Sequence, residues 1–111
     1  MKALILTLTL LAPGLAVQAS ERNIDIPHDP NARHALLEKS GHAQQRVVVT
    51  RRDGLLGTLY SRLVYNCERQ TVALLGIGEN LQALPAARPS AGMLPVIPDS
   101  TAAYIASEAC S

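Results

Sequence analysis

Apolar and polar positions divide the chain into segments of different period. From Ala3 to Ala12 the residues are almost wholly apolar, and Pro13-Gly14 then breaks any helix formed there. Ile24 and Ile26 alternate with polar neighbours, which suits a short edge strand or a loose arm. Asp29-Pro30 reads as a helix start, with Asp as the cap and Pro in the first turn. Residues 31–39 continue that helix and Gly41 is placed to end it. A helix so short needs Leu36 and Leu37 to pack against something.

The centre of the chain changes to strand character. Residues 45–50 carry Val47, Val48 and Val49, and β-branched side chains suit a pleated surface. Asp53-Gly54 is a tight-turn signal. Residues 55–67 follow as a long strand. In it Leu59, Ser61, Leu63, Tyr65 and Cys67 share one face, and Tyr60, Arg62, Val64 and Asn66 the other. Glu68-Arg69-Gln70 turns the chain into residues 71–78, which are mostly apolar and so read as a central strand. Residues 79–95 include Pro85, Pro89, Pro95 and Gly92; proline removes a ladder donor, so an irregular connection is expected there. Met93 to Ile97 adds a short edge strand. Asp99 or Ser100 then caps a final helix with Ala102, Ile105, Ala106 and Ala109 as its apolar stripe. The expected class is α+β: a small antiparallel β-sheet packed against a C-terminal α-helix, with a short N-terminal helix.

The N-terminal segment changes the picture of where the chain works. Lys2 precedes the apolar run, and Ala19, with Val17 two residues before it, forms a small-residue cleavage pattern. The run is shorter than the ~20 apolar residues that a spanning helix needs, which favours a removable secretory signal over an uncut anchor. The expected organisation is a signal peptide over residues 1–19, an N-terminal arm and short helix over 20–43, and a disulfide-stapled sheet-plus-helix domain over 44–111. No second apolar run follows, so no membrane span is expected after signal removal.

Composition excludes some functions. Ten Lys and Arg stand against nine Asp and Glu, a balance without the basic excess that nucleic-acid binding needs. There is no Trp or Phe, and Tyr60, Tyr65 and Tyr104 are the only aromatic residues, so stacking platforms are few. Cys67 and Cys110 are the only cysteines, and in an exported chain the pair reads as a disulfide. Without a CxxC or a nearby His, a metal-thiolate site or catalytic thiol is the weaker reading. Closing a loop of this length removes roughly 4 kcal/mol of unfolded-state entropy in the chain-entropy model.

Candidate chemistry is sparse. His28, Asp29, His34 and His42 lie near one another in sequence, but their spacing matches no zinc pattern, and surface histidines are the better account. Arg46, Arg51, Arg52, Arg62 and Arg69 could gather on the sheet. Of these, Arg51, Arg52 and Arg62, with Tyr60, form the candidate binding surface, set against a plain solvated face balanced by Asp53 and Glu68. Gly76-Ile77-Gly78 lacks the third glycine and following helix of a phosphate loop, and reads as a strand ending in a bend. No GxSxG presents a nucleophile, and Glu79 and Glu108 have no visible partner. The chain is therefore expected to be non-enzymatic, with no catalytic residues, no metal and no cofactor.

Two stretches resemble the surface-adhesin protein E family of small exported bacterial proteins. They are Tyr60-Ser61-Arg62-Leu63-Val64-Tyr65-Asn66-Cys67 and Val96-Ile97-Pro98-Asp99-Ser100-Thr101-Ala102-Ala103-Tyr104-Ile105-Ala106-Ser107-Glu108-Ala109-Cys110. Members similarly show a strand ending in Cys, a variable Gly/Pro-rich stretch, and a capped final helix ending in Cys. The resemblance spans roughly half of the domain beyond residue 19 and implies an antiparallel sheet backed by the helix through a Cys67–Cys110 bond. The first half departs from the pattern: members carry an extra hairpin before the strand equivalent to residues 46–50, where this sequence reads as a helix. The Trp often found before the cap is also missing, with Leu94 near its place. The expected function is that of an exported envelope protein in the periplasm or at the bacterial cell surface, an adhesin-like binding module for a host-matrix or envelope protein. The alternative is a periplasmic inhibitor or binding protein acting on a cell-wall hydrolase.

Overall fold

A computed structural model describes residues 21–84 and 92–111. The expected signal peptide, and part of the proline-rich connection, lie outside the described residues. Six strands form one antiparallel sheet in chain order: β1 (Arg22–Ile24), β2 (Arg33–His42), β3 (Gln45–Gly54), β4 (Gly57–Asn66), β5 (Thr71–Gly78) and β6 (Leu94–Pro95). The α-helix α1 (Thr101–Ala109) follows. The expected α+β class, with an antiparallel sheet and a C-terminal helix, is the observed one.

The N-terminal helix expected over residues 30–39 is instead strand β2, paired along its length with β3. The physical reason is tertiary. His34, Ala35 and Leu36 are all buried, because both faces of β2 are covered there. A bulge at Leu37, between the pairs Leu36↔Thr50 and Glu38↔Val49, then interrupts the two-residue period. Gly41 does not end a helix. It stands just before the Ala43-Gln44 hairpin turn with φ +82°, and an added Cβ would lie 2.2 Å from the Gln45 carbonyl oxygen. Residues 22–24 and 33–42 supply β1 and β2 to the same sheet as β3 to β6.

Strand β5, expected to be central, is next to last. Only the two-residue β6 lies beyond it, and Leu74 and Ile77 are each 54% exposed. The middle of the sheet is β3 and β4. Their register, with Val48 opposite Leu63 and Thr50 opposite Ser61, keeps the two faces read from the sequence of β4. The turn between them is Leu55-Leu56, one step past the Asp53-Gly54 signal, with Gly54 and Gly57 closing the ladder. The short edge strand expected near residues 93–97 is β6.

The core lies between the sheet and α1. Ile24, Ile26, Leu36, Val48 and Tyr65 meet Ile105 and Ala109 there, with Leu63, Val72, Val96 and Tyr104 around them. Ser100 caps α1, accepting a hydrogen bond at 3.2 Å from the Ala103 amide. Asp99 occupies a left-handed turn position instead, at φ +66°. Two strands grip the far end of the helix: Lys39 Nζ donates to the carbonyl oxygens of Glu108 and Ser111, and Arg22 pairs with the Glu108 carboxylate. A cation at exposed C-terminal carbonyls also suits the helix dipole.

Candidate functional site

Three arrangements bear on function: the disulfide end, the charged end and the β3–β4 tip. At the disulfide end, Asn66 closes β4. Its Oδ1 accepts from the Glu68 and Arg69 amides, and Gln70 takes φ +57° to finish the turn. The Cys67 amide donates to the Ala43 carbonyl at 2.7 Å, tying this corner to the β2–β3 turn. Cys67 is thereby set beside the last turn of α1. It is bonded to Cys110, 43 positions further along the sequence, with Cα atoms 5.6 Å apart. Next to the bond runs an open groove of about 330 Å³ between α1 and the β4, β5 and β6 ends. Tyr65, Val96, Pro98, Ala103 and Ala106 supply its apolar walls. Buried Tyr65 donates its hydroxyl to the Ala102 carbonyl at 2.7 Å, and burial pushes its acidity well below that of a free phenol.

At the charged end, successive residues of β3 point to opposite faces, so Arg51 and Arg52 part company. Arg52 lies on the helix side and chelates Asp29, Nε to Oδ2 at 2.9 Å and Nη2 to Oδ1 at 3.1 Å. Asp29 Oδ2 also meets His34 Nε2 at 2.7 Å. The Arg52 and His34 hydrogen bonds hold the Asp29 carboxyl down at about 2. Arg51 lies on the opposite face, hydrogen-bonded to Glu21 and Asp53. Both carboxyls sit below their ordinary range, Glu21 through Arg51, and Asp53 through Thr58 first and Arg51 second. Both guanidinium groups are held still more firmly protonated by these carboxylates.

The candidate surface is therefore not one surface. Arg51 stands opposite Tyr60, and Arg62 opposite Val49, so these three share the face away from the helix while Arg52 is on the other. The histidines separate too. His28 contacts Thr101 Oγ1 at 2.9 Å and tilts against the Tyr104 ring, His34 is buried beside Asp29, and His42 stands at the opposite end of β2. Among the described residues no group of three or more His, Cys, Asp or Glu could hold a metal ion. Among the described residues no helix is long and apolar enough to cross a membrane.

The sequence reading missed the third arrangement. Leu55 and Leu56, the two turn residues of the β3–β4 hairpin, are 86% and 103% exposed. The signal was present: two leucines between Gly54 and Gly57, where tight turns favour Gly, Asn and Asp. Below them Asp53 accepts from Thr58 Oγ1 at 2.6 Å across the hairpin and from Arg51 Nε along β3.

Comparison with known proteins finds no matching family model, curated protein or solved structure.

Proposed function

We propose that this chain is an exported envelope protein that acts by binding another protein, in the manner of a surface adhesin. The observation that carries the reading is the Cys67–Cys110 bond, which joins the end of a strand to the end of the final helix. That is the clamp implied by the resemblance to the surface-adhesin protein E family. An intramolecular disulfide is also consistent with an oxidising, extracytoplasmic compartment. A second support is that residues 33–42, which precede residues 46–50, are extended as strand β2 and not helical.

Binding suits the geometry better than catalysis. The charged groups are spent on one another: Asp29 with Arg52 and His34, and Arg51 with Glu21 and Asp53. Antibody raised against the protein should label intact cells, and purified protein should bind immobilised host-matrix proteins. Protection of the epitope until the outer envelope is opened, together with a changed rate of a cell-wall hydrolase, would replace this reading with the periplasmic-inhibitor one.

A further inference from the structure

The two ends of the Cys67–Cys110 bond stand in different surroundings. Cys67 is half-buried and packs against the core, and its amide is hydrogen-bonded to the Ala43 carbonyl at 2.7 Å. It is held in a corner between the end of β4 and the β2–β3 turn. Cys110 is exposed, one residue past Ala109 at the end of α1. Both cysteines line the open groove of about 330 Å³, so the bond borders solvent. No carboxylate lines that groove to repel an incoming thiolate.

A disulfide is opened by a thiolate that attacks one sulfur and expels the other, so access decides which sulfur is attacked. The attacked sulfur then carries the incoming molecule. When that molecule is a protein, a residue open to solvent carries it without displacing its neighbours, and a half-buried one does not. We infer that Cys110 is the sulfur at which a dithiol protein exchanges with this chain, and that Cys67 is the leaving group. The partner's thiolate bonds to Cys110 Sγ and the Cys67–Cys110 bond breaks. Its electron pair goes to Cys67, which takes up a proton. The partner's second thiol then attacks the partner's own first sulfur and releases Cys110 as a thiol. Two electrons pass from the dithiol, which becomes a disulfide, to the Cys67–Cys110 bond. Oxidation runs the same path in reverse, with Cys67 attacking Cys110 while the partner is still attached. The corner keeps Cys67 close, with Cα atoms 5.6 Å apart in the bonded state. A returning Cys67 thiolate therefore expels a monothiol, and net reduction takes a dithiol.

The test uses the folded, oxidised protein, its bond confirmed beforehand by intact mass. The probe is a thioredoxin-type protein whose second active-site cysteine is replaced by serine. Mixed in excess and quenched early in acid, it leaves mixed disulfides trapped on the chain. N-ethylmaleimide in denaturant then blocks the released thiol, and a digest made without reductant is read by mass spectrometry. Probe on Cys110 with N-ethylmaleimide on Cys67 should exceed the reverse pairing by roughly tenfold or more. The same chain unfolded in urea, with both sulfurs open, should give comparable amounts of the two. Probe mainly on Cys67, or equal amounts from the folded protein, would overturn the inference. So would a folded protein that forms no adduct where the unfolded chain forms one. The inference rests on the exported reading for where such a partner is met. Loss of that reading shows as free thiols in the starting protein, before any probe is added, whereas a failed sulfur preference leaves the bond and the reading standing.

Discussion

Tyr65 shows how much one residue carries. It is 1% exposed, sits against Ile105 and Ala109 in the core, and keeps its hydroxyl satisfied by the Ala102 carbonyl. Tyr65→Phe removes the bond and keeps the ring, and should cost about 1 kcal/mol in urea denaturation. Tyr65→Ala also empties the space and should cost on the order of 3–5 kcal/mol, near the whole stability of a small domain. Asp29 carries a pH dependence. Its folded pKa, about 2, lies below the ordinary 3.8, so it contributes stability above that value. The contribution fades as pH falls from about 4 toward 2. Asp29→Asn should lower the melting temperature at pH 6 and flatten its dependence across that acid window. An unchanged acid profile would remove Asp29 from the account. Single residues of this kind were unevenly legible. Ser100 as a cap and the two cysteines follow from local chemistry and count. The Asp29–His34–Arg52 cluster joins a loop and two strands, and no local pattern announces it.

At the level of elements, β4, β5, β6 and α1 were legible because each has a local signature: alternation, a β-branched or apolar run, prolines at an edge, a capped stripe. β2 was not. Its Asp-Pro start, its Ala-Leu-Leu run and its trailing glycine all imitate a helix, and its bulge hides the strand period. What decides between them is pairing with β3, a contact made only in the folded sheet. Gly41 tests that assignment. Its φ of +82° and the closeness of the Gln45 carbonyl leave no place for a Cβ, so Gly41→Ala should destabilise by roughly 1–3 kcal/mol. Were these residues helical, the substitution at a C-terminal glycine would leave the β2–β3 register intact. Amide exchange should instead show protection lost at residues 39–48. The tip leucines belong to this level too: the turn was expected one step earlier, so Leu55 and Leu56 were assigned to a strand.

The whole molecule is a sheet with its helix laid over β1, β2 and β3 and held at both ends. Ser100 and the Tyr65 hydroxyl secure the start of α1; Lys39, Arg22 and the disulfide secure its finish. A domain of this size buries limited apolar surface, so the cross-link is a large share of its stability. Removing the bond should cost on the order of 2–5 kcal/mol. Cys67→Ser, Cys110→Ser and the double variant should therefore melt alike, and each should match reduced wild type. The bond is also where the structure and the reading of an exported binding protein meet, so its state in the cell is the most direct test of both. Protein should be recovered from cells without reductant, unfolded in denaturant with excess iodoacetamide, and weighed intact. The account predicts no added carbamidomethyl group before reduction and two after it. Two groups added before reduction, at Cys67 and Cys110, would contradict it.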